Sequence, residues 1–195
     1  MINKEILKNK YKRLVSSDRD KFLAELKIIK EKTDFMSLSD KPLLIYSRGK
    51  REAIHYLFMI TKSLKKERIL DYTSVSGQTI FSQHFKSQQE GSKIQDTDKV
   101  SNDIYYSDIT FINLSQFDYV SDFVHSLIIE VIDFRDMINK QTVIHIDLFD
   151  KNAEQMAIAK KIESYFRSRD YTILDLSKGD IVKEKRVSKK GGAFF

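Results

Sequence analysis

The chain has no cysteine, no tryptophan, one proline and six glycines in 195 residues. The missing cysteines exclude disulfides and thiolate metal ligands. Its four histidines, His55, His84, His125 and His145, are spaced too widely for a local ligand motif, so surface or half-buried positions are expected and no metal is expected. Long apolar runs are also lacking. No stretch approaches the roughly 20 residues of a membrane-spanning helix, and the charged start Met1-Ile2-Asn3-Lys4-Glu5 leads into no apolar signal region. A soluble, cytoplasmic protein without membrane partners is expected.

What is present suits one packed domain: 41% of residues are hydrophobic and 11% aromatic. The net charge of +6 comes from 34 basic against 28 acidic residues, a near balance that permits nucleic-acid contact without requiring it. The charge bias is local. Lys183, Lys185, Arg186, Lys189 and Lys190 precede Gly191-Gly192-Ala193-Phe194-Phe195, which reads as a basic flexible tail over 183–195. Its Phe194-Phe195 tip suits a hydrophobic pocket of a partner, and a simple solvated chain end is the plainer reading.

Apolar periodicity orders the rest. Phe22, Leu23, Leu26 and Ile29 follow the capping run Ser16-Ser17-Asp18 and predict an N-terminal helical extension over 1–41, ended by Pro42. From 42 to 182 strands alternate with helices. Strands are predicted at Leu43–Tyr46, Ile69–Thr73, Ile109–Leu114, Thr142–Leu148 and Thr172–Leu176. Helices are predicted after Gly49, after Gly77 with Ile80, Phe81 and Phe85, over Val120–Ile138 with Asp118 or Ser121 as the cap, and over Ala153–Phe166. The polar stretch Ser87–Asp103 reads as a loop. This alternation predicts an α/β fold with a parallel sheet of about five strands flanked by helices and built round one core.

Leu43 to Glu52 carries the most specific signal, a buried strand running into the pair Gly49-Lys50 at the mouth of a helix, as in P-loop NTPases. A phosphate-binding loop needs a first glycine five residues before that pair and a Ser or Thr hydroxyl after the lysine to hold magnesium. Leu44 and Arg51 stand there, and no glycine precedes Gly49.

Taken in order, these segments resemble the ATPase domain of bacterial helicase loaders and related transposition ATPases, the DnaC, DnaI and IstB group of the AAA+ class. The likeness runs from Leu43 to Lys183. In that family the third strand ends in two acidic residues; here Asn113 and Leu114 stand there. Ile132-Asp133-Phe134-Arg135 is similar to the family's Asn-x-Arg-Tyr stretch. Gln141 to Leu148 resembles its sensor strand, with Asp147 in place of a polar Asn, and Tyr165 stands where an arginine acts on nucleotide.

The resemblance therefore implies a P-loop NTPase-like frame with a degenerate nucleotide site of Gly49, Lys50, Arg51, Asn113, Leu114, Asp147 and Tyr165. No cofactor and no hydrolysis are expected of it, because phosphoryl transfer needs cradle, metal and charge stabilisation together. It further implies an interaction module of DNA replication or of a mobile genetic element, acting on a helicase, helicase loader or related ATPase, in homo- or hetero-oligomers. Two alternatives stand beside it. One is a single-stranded nucleic-acid binder using Lys62, Lys65, Lys66 and Arg68 at one helix end and Arg167 and Arg169 at another. The other is a diverged NTPase built on Lys50, Asp147 and Asp150 at strand ends.

Overall fold

The structure, a computed structural model, describes residues 3–89, 95–114, 122–148 and 153–177. The chain opens with α1 (Lys4–Lys10), a 3₁₀ turn (Lys12–Leu14) and α2 (Arg19–Lys32). Asn3 caps α1 by accepting from the Glu5 N–H at 2.8 Å, and Asp18 caps α2 by accepting from that of Lys21 at 3.1 Å. The remainder alternates: β1 (Leu43–Ser47), α3 (Arg51–Lys65), β2 (Tyr72–Ser76), α4 (Gly77–Gln89), α5 (Gln95–Tyr106), β3 (Ile109–Leu114), α6 (Asp122–Met137), β4 (Gln141–Asp147), α7 (Ala153–Ser168) and β5 (Thr172–Asp175). The five strands form one parallel sheet in the order β2-β3-β4-β1-β5.

β1, β3 and β4 read as near-continuous apolar runs because both faces of the sheet are covered. One layer packs Leu43, Ile45, Phe111 and Val143 against α3 and against the N-terminal helices, through Leu7, Tyr11, Leu14, Phe22 and Ile29. The other packs Leu44, Ile112, Ile144 and Ile146 against α6 and α7, through Val124, Ile128, Ile132, Ile162 and Phe166. The expected single core is thus two layers on either side of the sheet, and the N-terminal helices belong to one of them. Tyr11 anchors that attachment. Its buried hydroxyl shares a hydrogen bond of 2.6 Å with Ser63 on α3, donates to the Leu70 carbonyl at 2.8 Å and accepts from the Leu70 N–H at 3.0 Å.

Two expected elements need correction. The second strand lies three residues later than expected, because Ile69 is exposed while Val75 is buried. Ser76 ends the strand and its hydroxyl accepts from the Thr79 N–H at 3.1 Å, so α4 starts at once. The polar stretch expected as a loop contains α5, which is held by one narrow stripe: Ile104 is buried and Val100 packs against the same layer. The caps proposed at Asp118 and Ser121 lie outside the described residues.

The scarcity of glycine shows at the helix ends. α3, α6 and α7 each stop at a residue of positive φ, Glu67 (52°), Asn139 (57°) and Asp170 (55°). The next residue then donates back to the last turn, Arg68 to Ser63 at 3.2 Å, Lys140 to Arg135 at 2.8 Å and Tyr171 to Phe166 at 2.9 Å. These are six-to-one closures of the kind that usually carry glycine.

Arg135 closes the core near one of these ends. It is fully buried, and its guanidinium donates to Thr142 Oγ1 and to the carbonyls of Ile104, Tyr105, Ser107 and Gln141 at 2.7–3.0 Å. Burial pulls it down to about 10, so it stays charged at neutral pH. One side chain thereby joins α5, the α5–β3 connection, α6 and β4.

Candidate functional site

The turn between β1 and α3 sits at the C-terminal edge of the sheet, where open parallel sheets place ligands. Only Arg48, Gly49 and Lys50 lie between the end of β1 and the start of α3. Leu44, at the first-glycine position, lies inside β1 and is fully buried, so strand occupies the positions from which a longer loop would rise. Gly49 adopts φ 65°, a conformation that glycine takes without steric cost. Its N–H donates to Asp147 Oδ1 at 3.0 Å. Asp147 reaches it because Ser47 and Asp147 are register partners on adjacent strands. Lys50 is largely buried at the N-cap of α3 and supplies no side-chain cap bond, while Arg51 pairs with Glu52 at 3.1 Å on the surface.

Of the seven residues in the degenerate set, the structure joins Gly49 and Asp147 directly and holds Lys50 and Arg51 beside them. The other three are engaged elsewhere. Asn113 turns to β2, donating to Ser74 Oγ at 2.9 Å and to the Val75 carbonyl at 3.2 Å. Leu114 is buried in the layer under α6. Tyr165 donates its hydroxyl to Asp133 on α6, with the Arg169 guanidinium 5.7 Å from its ring centroid. Burial and the Asp133 carboxylate raise that phenol well above its ordinary range. Asp150 lies outside the described residues.

Directly beneath the turn is a chain of polar groups that sequence spacing did not reveal. Ser47 Oγ lies 2.6 Å from His145 Nε2, and His145 Nδ1 lies 3.1 Å from His55 Nε2. His55 stacks on Phe111 with centroids 3.9 Å apart. Both histidines are buried, contrary to the surface or half-buried positions expected. Burial, then the charge of Arg51, pushes His145 down to about 3; burial, then His145 and Arg51, holds His55 well below its usual value. Both are therefore neutral at pH 7. Ser47 and a neutral histidine within hydrogen-bond distance have the pairing of a nucleophile and base. With Ser47 and His145 both buried, the arrangement ties β1, β4 and α3 together. The signal available in the sequence was His145 at the centre of a β-branched run, a polar residue that must find a partner inside.

The candidate nucleic-acid contacts all have partners within the chain. Lys62 is fully buried and donates to the Leu38 and Ser39 carbonyls and to Asp40 at 2.9–3.1 Å, which removes it from the surface expected for it. Lys65 donates to the Leu38 carbonyl at 2.9 Å, Lys66 pairs with Asp40 at 2.6 Å, and Arg68 grips Asp108 with two bonds of 2.8 and 2.9 Å. Arg167 pairs with Glu163 one turn back, and Arg169 lies 3.7 Å from Asp133. The tail residues Lys183, Lys185, Arg186, Lys189, Lys190, Phe194 and Phe195 lie outside the described residues. Among the described residues no group of three or more His, Asp or Glu side chains is placed to hold a metal ion, and no helix is long and apolar enough to cross a membrane.

No protein-family model and no curated protein matches this sequence. Solved structures do match its fold. A crystal structure of a DNA replication initiation factor superposes with a TM-score of 0.51 at 14% identity, covering 86% of this chain and 49% of that one. The fold is AAA+-like. The crystal structure of the DnaC helicase loader matches at TM-score 0.47 and 15% identity over 82% of this chain and 90% of that one. Domain III of the Thermotoga maritima replication initiation protein DnaA matches at 0.46 and 17%, over 92% and 71%. The chain spans about half the length of the replication initiation factor. The expected α/β class and the parallel sheet of five strands flanked by helices stand.

Proposed function

We propose that this chain is a non-hydrolysing AAA+-like interaction module that acts on a protein of DNA replication, or of a mobile element that replicates, by binding a helicase, helicase loader or related ATPase. The observation that carries the reading is the bond from Gly49 N–H to the Asp147 carboxylate. In a working phosphate loop, backbone amides at this position face phosphate oxygens. Here the chain's own anion takes that amide, in a turn of three residues. A second anion on the same amide would meet both the occupied donor and the repulsion of a carboxylate. Asn113, Leu114 and Tyr165 support the same reading, since their side chains serve packing and hydrogen bonding between elements. The preserved sheet and layers supply a stable frame whose outer surfaces are available for a partner.

Two measurements test it together. Purified protein incubated with magnesium ATP is expected to release no phosphate above the protein-free rate, and tagged protein expressed in its host is expected to retain a replication or transposition protein through stringent washing. Steady turnover that is lost in Lys50→Ala would overturn the first half, and recovery of no such protein would overturn the second.

A further inference from the structure

At the opposite edge of the sheet from the β1–α3 turn, a cavity of about 70 Å³ opens between the C-terminal end of α3 and the starts of β3 and β4. Four cations line it, Lys62, Lys66, Arg68 and Lys140, against two carboxylates, Asp40 and Asp108. Each carboxylate already holds two of them. Asp40 bonds Lys62 at 3.1 Å and Lys66 at 2.6 Å; Asp108 bonds Arg68 at 2.8 Å and Lys140 at 2.8 Å. Among the residues lining the cavity, positive charges thus exceed negative ones by two.

The donors are not used up either. An ammonium carries three N–H groups and a guanidinium five. Lys66 and Lys140 each use one, and Arg68 uses two. Lys62 is the exception, with three bonds to oxygen that fix it as a buried ammonium. The side chains of Lys66, Arg68 and Lys140 are each a third to a half exposed, so their unused donors lie within reach of an anion from solvent, and a space of this size holds several waters or one tetrahedral oxyanion.

We infer that this cavity is a binding site for a terminal phosphate group, either free phosphate or the phosphorylated end of a nucleic-acid strand. Charge selects the terminal group: a phosphate monoester carries about two negative charges at neutral pH, matching the excess, whereas a backbone diester carries one. The cations come from α3, from the α3–β2 connection and from the α6–β4 turn, so the site exists only in the folded chain. A five-residue strand spans roughly 16 Å, which separates this site from the Gly49 turn and makes it independent of any nucleotide there.

The test uses the full chain. Its thermal midpoint is expected to rise by several degrees in about 10 mM inorganic phosphate relative to chloride of equal ionic strength. A fluorescent single-stranded oligonucleotide with a 5′-phosphate is expected to bind about tenfold more tightly than the same strand with a 5′-hydroxyl. Arg68→Gln and Lys66→Gln should each abolish most of both effects. Lys66→Gln is the safer variant, because Lys66 sits at the rim with its side chain 39% exposed while Arg68 also anchors Asp108. A midpoint rise without oligonucleotide preference assigns the site to free phosphate, and preference without a rise assigns it to strand ends. Neither effect in the wild-type protein, or both persisting unchanged in the two variants, overturns the proposal.

Discussion

His145 receives a contact on each ring nitrogen, from Ser47 on one side and His55 on the other, and is closed off from water. The linkage to pH follows from its position. In the unfolded chain a histidine takes up a proton near pH 6.5, whereas in the fold His145 resists protonation down to about 3. Stability is therefore complete above about pH 6.5, declines as pH falls below it, and stops declining on this account near pH 3. Each such group removes roughly 1.4 kcal/mol per pH unit in that window, so about 2 kcal/mol is expected to be lost between pH 6.5 and pH 5, and somewhat more with His55 included. Asp108 is held far below its usual range by Arg68, and its effect begins only below about pH 4. Denaturant unfolding at a series of pH values checks this: His145→Gln should flatten the slope between pH 6.5 and pH 5, and an unchanged slope would assign the acid sensitivity elsewhere. Nothing in the local sequence discloses these contacts. His55 on α3 and His145 on β4 are far apart in the chain, and only the packing of α3 over the sheet brings them together.

At the scale of elements, Arg135 has the largest effect expected of any one side chain. It supplies the donors for the carbonyls that end α5, and for that of Gln141 at the start of β4. Lysine cannot reproduce the planar fork, and an apolar side chain would leave several buried carbonyls unpaired. Arg135→Met is expected to destabilise the chain by about 3–5 kcal/mol, measured as a shift in urea midpoint, with α5 the first element to lose amide protection in hydrogen exchange. Elements whose signal is local were legible in the sequence. Ile109–Leu114 is legible with its observed limits because five of its six residues are apolar or β-branched, and α6 because its apolar stripe persists for several turns. α5 was not, since its stability comes from Arg135 and a two-residue stripe rather than from its own composition. The likeness to helicase loaders was legible through order and spacing. The bond between Gly49 and Asp147 was not, because it depends on the register of strands that are distant in sequence.

For the whole molecule, the N-terminal helices decide whether the sheet is covered. Leu7, Tyr11, Leu14, Phe22 and Ile29 are buried in the layer over Ile45 and Phe111. At about 1.5–3 kcal/mol for each buried apolar side chain, their combined loss is as large as the net stability of roughly 5–15 kcal/mol usual for a domain. A chain beginning at residue 42 is expected to give no cooperative thermal transition by circular dichroism, while the full chain gives one; a cooperative melt of the shortened chain would show the extension to be an independent unit. The strand order also has a consequence for how the protein is made. β1 is flanked by β4 and β5, with Leu43 beside Val143 and Thr172. At the usual 5–20 residues per second, the ribosome needs roughly 5–20 s after completing β1 before its first neighbour emerges. For that interval Leu43–Ser47, buried at every position in the finished sheet, lacks both of its strand neighbours. Its backbone edges stay unpaired for that time, so the fold is most open to misassembly during its own synthesis.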